Sequence, residues 1–191
     1  ILGNHENNAQ LFYDYFTLPE PEYYYRFDYG NLSVFMLDSQ KRLRDSSEQY
    51  QWLDKALGDC AATWKIVMLH KPAYSSDEND YGDTYKVRSA MGDMNARWLV
   101  PLYEKHAVDL VWSGHIHTYE RTWPLKGGKA VSADEGVVYM ITGGGGGHLE
   151  NAAPVRTPFS AKVYRGHHYC NVLVNGTTLR IEAYDLENRL F

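Results

Sequence analysis

Two histidines one residue apart, in Gly114-His115-Ile116-His117-Thr118-Tyr119-Glu120-Arg121, follow the apolar run Val108-Asp109-Leu110-Val111-Trp112-Ser113. Imidazole suits Zn, Fe and Mn. In an extended segment alternate side chains share a face, so His115 and His117 could reach one cavity and bind one metal ion or two adjacent ones. Two solvated loop histidines are the plain alternative. Two other apolar runs end in similar residues: Ile1-Leu2 leads into Gly3-Asn4-His5-Glu6, and Val67-Met68-Leu69 into His70-Lys71-Pro72. An isolated loop histidine is more often solvated than metal-bound, but three such ends together make a metal site the stronger reading.

Those ends meet if the three runs are parallel neighbours in one sheet, because open α/β sheets place ligands at the carboxyl ends of their strands. Asn4, His5, His70, His115 and His117 then share one edge. The rest of the chain supplies the scaffold. A hairpin is expected over 22–39, with arms 23–27 and 33–37 around a turn at 28–31. Ser46 and Gln49 form a capping box for a helix over about 47–58, with Tyr50, Leu53 and Leu57 at helical spacing. A buried strand follows over 62–69. A helix over 94–106, started by Asp93, turns Trp98, Leu99, Leu102 and Tyr103 inward and is kinked or split by Pro101. A strand over 136–142 ends in Gly143–Gly147, which reads as a flexible turn or as exposed backbone N–H groups suited to phosphate, although it matches no known phosphate-loop pattern. Arms 168–174 and 178–185 close the chain around Asn175-Gly176. Strands alternating with helices predict an α/β class, and the hairpins a mixed sheet or two stacked sheets.

The 191 residues suit one domain with a sizeable core. A net charge of -5 without a Lys/Arg-rich cluster argues against a broad nucleic-acid face, and no apolar run is long enough for a membrane span. Cys60 and Cys170 leave the redox compartment, and their own pairing, open. Because Ile1-Leu2-Gly3 reads as the end of a strand, the numbering is expected to start inside a longer protein.

Gly3-Asn4-His5-Glu6, then Val67-Met68-Leu69-His70, then Gly114-His115-Ile116-His117 resemble, in that order, the last three of the five metal motifs of the calcineurin-like metallophosphoesterases. Tyr119-Glu120-Arg121-Thr122-Trp123-Pro124 and the section around His167-His168-Tyr169-Cys170-Asn171-Val172 are similar to purple acid phosphatases in particular. The resemblance spans nearly the whole chain. It implies a layered αββα sandwich with mixed sheets, incomplete at the amino end. Residues 1–191 would form a single partial catalytic domain, with the family's carboxyl-terminal segment at about 136–191.

The resemblance also implies a binuclear site of Fe(III) plus a divalent Zn, Mn or Fe, at which a metal-bound hydroxide hydrolyses a phosphate monoester. Asn4, His70 and His115 would bind the divalent ion and His117 the iron. His5 would be the catalytic group that stabilises the phosphoryl charge or protonates the leaving alkoxide, with orientation of a ligand as its quieter alternative. Tyr74 and His148 are candidates to touch a small-molecule phosphate ester; for Tyr74, packing is an equal alternative. Glu120 and Arg121 are expected to pair structurally. The family's first two motifs, which carry its aspartate and tyrosine ligands, have no match in these residues. Activity as a diesterase or nucleotidase, or a noncatalytic metal-binding or interaction role, is the alternative. Family habit implies a secreted, lysosomal or periplasmic protein, with no nucleic-acid or membrane partner.

Overall fold

The computed structural model describes residues 1–6, 10–76, 91–150 and 157–191. Its strands are β1 (Tyr25–Tyr29), β2 (Leu32–Met36), β3 (Trp64–Leu69), β4 (Leu110–Ser113), β5 (Tyr119–Thr122), β6 (Leu125–Lys126), β7 (Lys129–Ala130), β8 (Val138–Thr142), β9 (Ser160–Tyr164), β10 (His168–Asn175) and β11 (Thr178–Asp185). Among the described residues, seven of them form one sheet in the order β1-β2-β3-β4-β8-β5-β9. The middle of that sheet is parallel: β2 pairs with β3, β3 with β4 and β4 with β8, with Ile66 opposite Leu110 and Leu110 opposite Val138. Antiparallel strands flank it, β1 on one side and β5 with β9 on the other.

Period-two alternation explains why both faces of the parallel strands are covered. Phe35, Val67, Leu69, Val111 and Tyr139 point to one face and pack on Leu53 and Leu57 of the helix Glu48–Gly58, on Leu99 of a 3-10 turn (Ala96–Leu99) and on Leu102 and Tyr103 of the helix Val100–Lys105. Val34, Ile66, Leu110 and Met140 point to the other face, which the β10–β11 hairpin covers with Leu179, Ile181 and Ala183. Helices, main sheet and hairpin thus give the expected α/β class with a mixed sheet; among the described residues no helical layer lies outside the hairpin. The cysteines are separated by the sheet, Cys60 in the helical cluster and Cys170 against the hairpin cluster, and both are free thiols.

Several local expectations need correction. The helix cap is Ser47, whose hydroxyl accepts from the Tyr50 N–H, and Gln49 is buried, exchanging hydrogen bonds with the Asp38 backbone instead of closing a capping box. Pro101 splits the later helix as expected, because Pro is tolerated only in a first turn. Asp93 starts it by accepting from the Ala96 N–H at 2.7 Å. Trp98 points outward, where the Arg44 guanidinium covers its ring. Leu2 is buried, but residues 1–3 lie outside any strand. No helix among the described residues is long and apolar enough to cross a membrane.

Candidate metal centre

The carboxyl ends of β3 and β4 lie side by side, and the Gly114 N–H donates to the His70 carbonyl at 3.1 Å, joining the two loops that leave them. Past Gly114 the chain makes two successive three-residue turns, Ile116 N–H to Gly114 C=O and Thr118 N–H to Ile116 C=O, each 2.8 Å. The first turn holds His115 at φ 68, a conformation that costs a non-glycine residue of order 1–3 kcal/mol and that clusters at functional sites. Ile116 is fully buried beneath the loop. A coiled loop thus replaces the extended segment that would have put His115 and His117 on one face, and the two rings part.

His115 turns toward β3. Its Nδ1 lies 3.1 Å from His70 Nε2 and 3.1 Å from Asn4 Oδ1, and His70 Nε2 lies 2.8 Å from the same amide oxygen. Ligands about 2.1 Å from an ion stand roughly 3.0 Å apart at octahedral angles and roughly 3.4 Å apart at tetrahedral ones. The triangle therefore has the edge lengths of three ligands on one face of a cation. Among the described residues no three His, Cys, Asp or Glu side chains group to hold a metal, because the third donor here is an amide oxygen. Burial, and then the neighbouring His115, push the His70 imidazole down to about 4, so it stays neutral with its lone pair available.

Gly3 makes this packing possible. A Cβ on it would lie 2.7 Å from Glu6 Oε2 and 2.9 Å from His70 Cε1. The Glu6 carboxylate accepts the Gly3 N–H and acts on the His70 charge, a contribution that sequence reasoning missed although the acid stands in the motif. His5 is exposed beside the triangle, close enough to act electrostatically on His70.

His117 turns the other way, toward the loop after β8. Its backbone N–H donates to the Glu150 carboxylate at 3.0 Å, and its Nδ1–H donates to the His148 carbonyl at 2.7 Å. A carbonyl only accepts, so Nδ1 carries a proton and in the neutral ring Nε2 has the lone pair, the tautomer a metal-ligating histidine takes from such a partner. The His148 backbone thus holds His117, while its side chain is exposed. Tyr74 packs its ring against Tyr139 and Phe159 beneath the Arg97 guanidinium. Glu120 does not pair with Arg121, because neighbours in a strand face opposite ways. It is buried, accepting from the Ser76 N–H and the Ser160 hydroxyl, and ties the loop after β3 to β9. Burial raises its pKa. A cavity of about 690 Å³ lies at the opposite edge, lined by Asp109, Leu110, Gly136 and Val138 at the starts of β4 and β8.

Residues 1–119, which include the triangle and both histidines of the β4 loop, match the family model of the calcineurin-like phosphoesterases. The chain belongs to the calcineurin-like phosphoesterase family. Within the calcineurin-like phosphoesterases it is similar to purple acid phosphatase 21 of Arabidopsis thaliana, 36% identical over 147 residues that cover 75% of this chain and 31% of that one. A probable inactive purple acid phosphatase 27 of the same plant is 26% identical over 194 residues, 96% of this chain and 30% of that one. The solved purple acid phosphatase PPD1 of yellow lupin superposes with a TM-score of 0.83 at 23% identity, over 93% of this chain and 33% of that one, and so shares the fold. The chain spans about a third of the length of these relatives.

Proposed function

We propose that this chain carries part of a binuclear metal site for the hydrolysis of phosphate monoesters. The observation that carries the reading is the triangle of Asn4 Oδ1, His70 Nε2 and His115 Nδ1, with edges of 2.8 to 3.1 Å. Those three atoms would hold the divalent ion, Zn, Mn or Fe, and His117 Nε2 would serve the Fe(III) beside it. Bound there, such ions supply Lewis acidity to phosphoryl oxygens and lower the pKa of coordinated water toward about 7.

The chain's own residues do the rest. Two imidazoles and an amide as ligands would add no negative charge of their own to a bound cation, which would leave its charge available to a small-molecule phosphate ester. His5, exposed next to the triangle, would donate a hydrogen bond to a phosphoryl oxygen or a proton to the leaving alkoxide. With one described donor for iron against three for the divalent ion, this chain by itself is expected to hold the divalent ion weakly and iron not at all. The secreted, lysosomal or periplasmic setting belongs to the same reading.

The test is turnover of p-nitrophenyl phosphate by the refolded chain with iron and zinc, compared with His115→Ala. Turnover that is lost in the variant supports the reading. Zinc binding without turnover fits either a half site or a noncatalytic metal-binding role, which the relative named as probably inactive makes a specific second reading; turnover regained when a segment carrying the family's aspartate and tyrosine motifs is joined ahead of Gly3 decides for the half site. Faster turnover of the bis-ester points to a diesterase, as the name of a similar barley nucleotide pyrophosphatase/phosphodiesterase would have it.

A further inference from the structure

A run of five glycines, Gly143 to Gly147, loses much conformational entropy when ordered, and alone it would hold nothing in place. Yet this loop orients His117, through the His148 carbonyl and the Glu150 carboxylate. Something must fix the loop. The residues that do so lie in one short stretch after β9, Arg165-Gly166-His167-His168.

At the start of the loop the Gly144 carbonyl accepts twice, from the His168 N–H at 3.3 Å and from His167 Nδ1–H at 3.1 Å. Gly144 is also pressed against the His168 ring, since a Cβ there would lie 2.4 Å from His168 Nδ1. At the end of the loop the Arg165 guanidinium spans two carbonyls, Nε to Glu150 at 2.9 Å and Nη2 to Leu149 at 3.2 Å. Between these two anchors Gly147 lies flat on His117, leaving no room for a side chain; its Cβ would fall 2.6 Å from His117 Cε1. His168 is itself held, its Nδ1–H donating to Gly166 C=O and its ring packed edge-on against Tyr119 and Phe191.

We propose that the 165–168 segment is a clamp, with Arg165 as a positioning residue that fixes the proton of His117 on Nδ1 and so presents the Nε2 lone pair outward. Arg165 never touches His117. It acts by holding Leu149 and Glu150, and thereby the His148 carbonyl, at the distance the Nδ1–H needs. A planar guanidinium can bridge two carbonyls where an ammonium makes one point contact, so lysine should do the work only in part. The purpose of the clamp rests on the reading of His117 as an ion ligand; its geometry does not.

The test is nitrogen-resolved NMR of the imidazoles in the metal-free chain, with the His117 signals assigned through His117→Gln. Wild type should show a slowly exchanging Nδ1–H and an Nε2 shift typical of an unprotonated nitrogen. In Arg165→Ala that proton signal should vanish and the two nitrogen shifts should converge, while the signals of His70 stay where they were; Arg165→Lys should fall between. Retention of the single Nδ1–H tautomer in Arg165→Ala would overturn the proposal, and if that variant does not fold, a wild-type tautomer in Arg165→Lys would do the same. Zinc titration of the wild type separates the two ideas. A His70 signal that zinc never perturbs sinks the metal-site reading on which the purpose of the clamp rests and leaves the clamp standing, because the His117 tautomer is read in the metal-free chain.

Discussion

If Asn4, His70 and His115 hold a divalent ion, zinc must stabilise the fold through them. Structural zinc sites contribute about 10–16 kcal/mol from four ligands, so each ligand is worth about 3–4 kcal/mol and its loss weakens binding by about 10²- to 10³-fold. At zinc 100 times above Kd the folded chain gains about 2.7 kcal/mol. For a chain of this size each kcal/mol moves Tm by about 2–4 °C, so Tm should rise by roughly 5–11 °C and return on adding a chelator. In His115→Ala the same zinc concentration becomes about 0.1 to 1 times Kd. The gain then drops to about 0.4 kcal/mol at most, a shift of no more than roughly 1–2 °C. Asn4→Ala and His70→Ala should behave alike, and His148→Ala, which alters an exposed ring, should keep the full shift. Thermal melts with and without zinc measure this. An undiminished zinc shift in His115→Ala, or none in the wild type, would refute the argument that the triangle is a cation face.

Other expectations follow from single contacts. Gly143→Ala puts a Cβ 2.0 Å from the Ile116 carbonyl oxygen, a backbone atom that cannot step aside, so urea unfolding should show a loss of about 3 kcal/mol or more, whereas Gly145→Ala and Gly146→Ala, which meet nothing within 4 Å, should change stability by under about 1 kcal/mol. Glu120→Gln should cost under about 1 kcal/mol, since an amide oxygen can still accept from the Ser76 N–H and the Ser160 hydroxyl can turn to accept; Glu120→Ala leaves a buried donor unpaired and should cost about 2–3 kcal/mol by the same measurement. Because the folded pKa of His70 lies at about 4, below its ordinary 6.5, the unfolded chain takes up the proton first on acidification. Stability of the metal-free chain that is full above pH 6.5 should therefore decline as the pH falls toward 4, and His70→Asn should flatten that decline in urea titrations at successive pH values.

β3, β4 and β8 were legible as strands because they are apolar on both faces, and the last hairpin because Asn175-Gly176 marks its turn. Of the three runs expected to be parallel neighbours, those ending at Leu69 and Ser113 pair so, while the place beside them is taken by β2 and β8. β5 and β9 were not legible. Tyr119-Glu120-Arg121-Thr122 and Ser160-Ala161-Lys162-Val163-Tyr164 are short and mixed in polarity, and they become strands through their neighbours: β5 pairs with the edge that β8 offers, and β9 with the edge that β5 then offers. In the site, residue types led to Asn4, His70 and His115, whose convergence needs β3 and β4 to be parallel neighbours and the segment before Asn4 to pack through Gly3 against the His70 ring. The roles of Glu6, Glu120 and Arg165 were hidden because each acts through a backbone group of a distant or turned segment, and no spacing encodes such a partner. The glycine run was read as a flexible turn or a phosphate cradle. Gly143, Gly144 and Gly147 are instead each required by close approach to Ile116, His168 and His117.

The spacing of His115 and His117 takes its meaning from the strand order. β4 lies between β3 and β8, so a loop leaving it has a neighbouring loop on either side. An extended His-x-His would send both rings the same way and serve only one neighbour. The turn at His115, strained at φ 68, breaks that alternation and lets Ile116 drop into the core between the two rings. His115 then meets His70 from the loop after β3, and His117 meets His148 from the loop after β8. The buried isoleucine is the pivot: its carbonyl faces Gly143, so the loop after β8 is pressed against the same residue that separates the histidines. Under the proposed reading, a pair of neighbouring ions would need one ligand on each side of this strand end. Backbone strain at a single residue is how a two-residue spacing sends its two rings to those two sides.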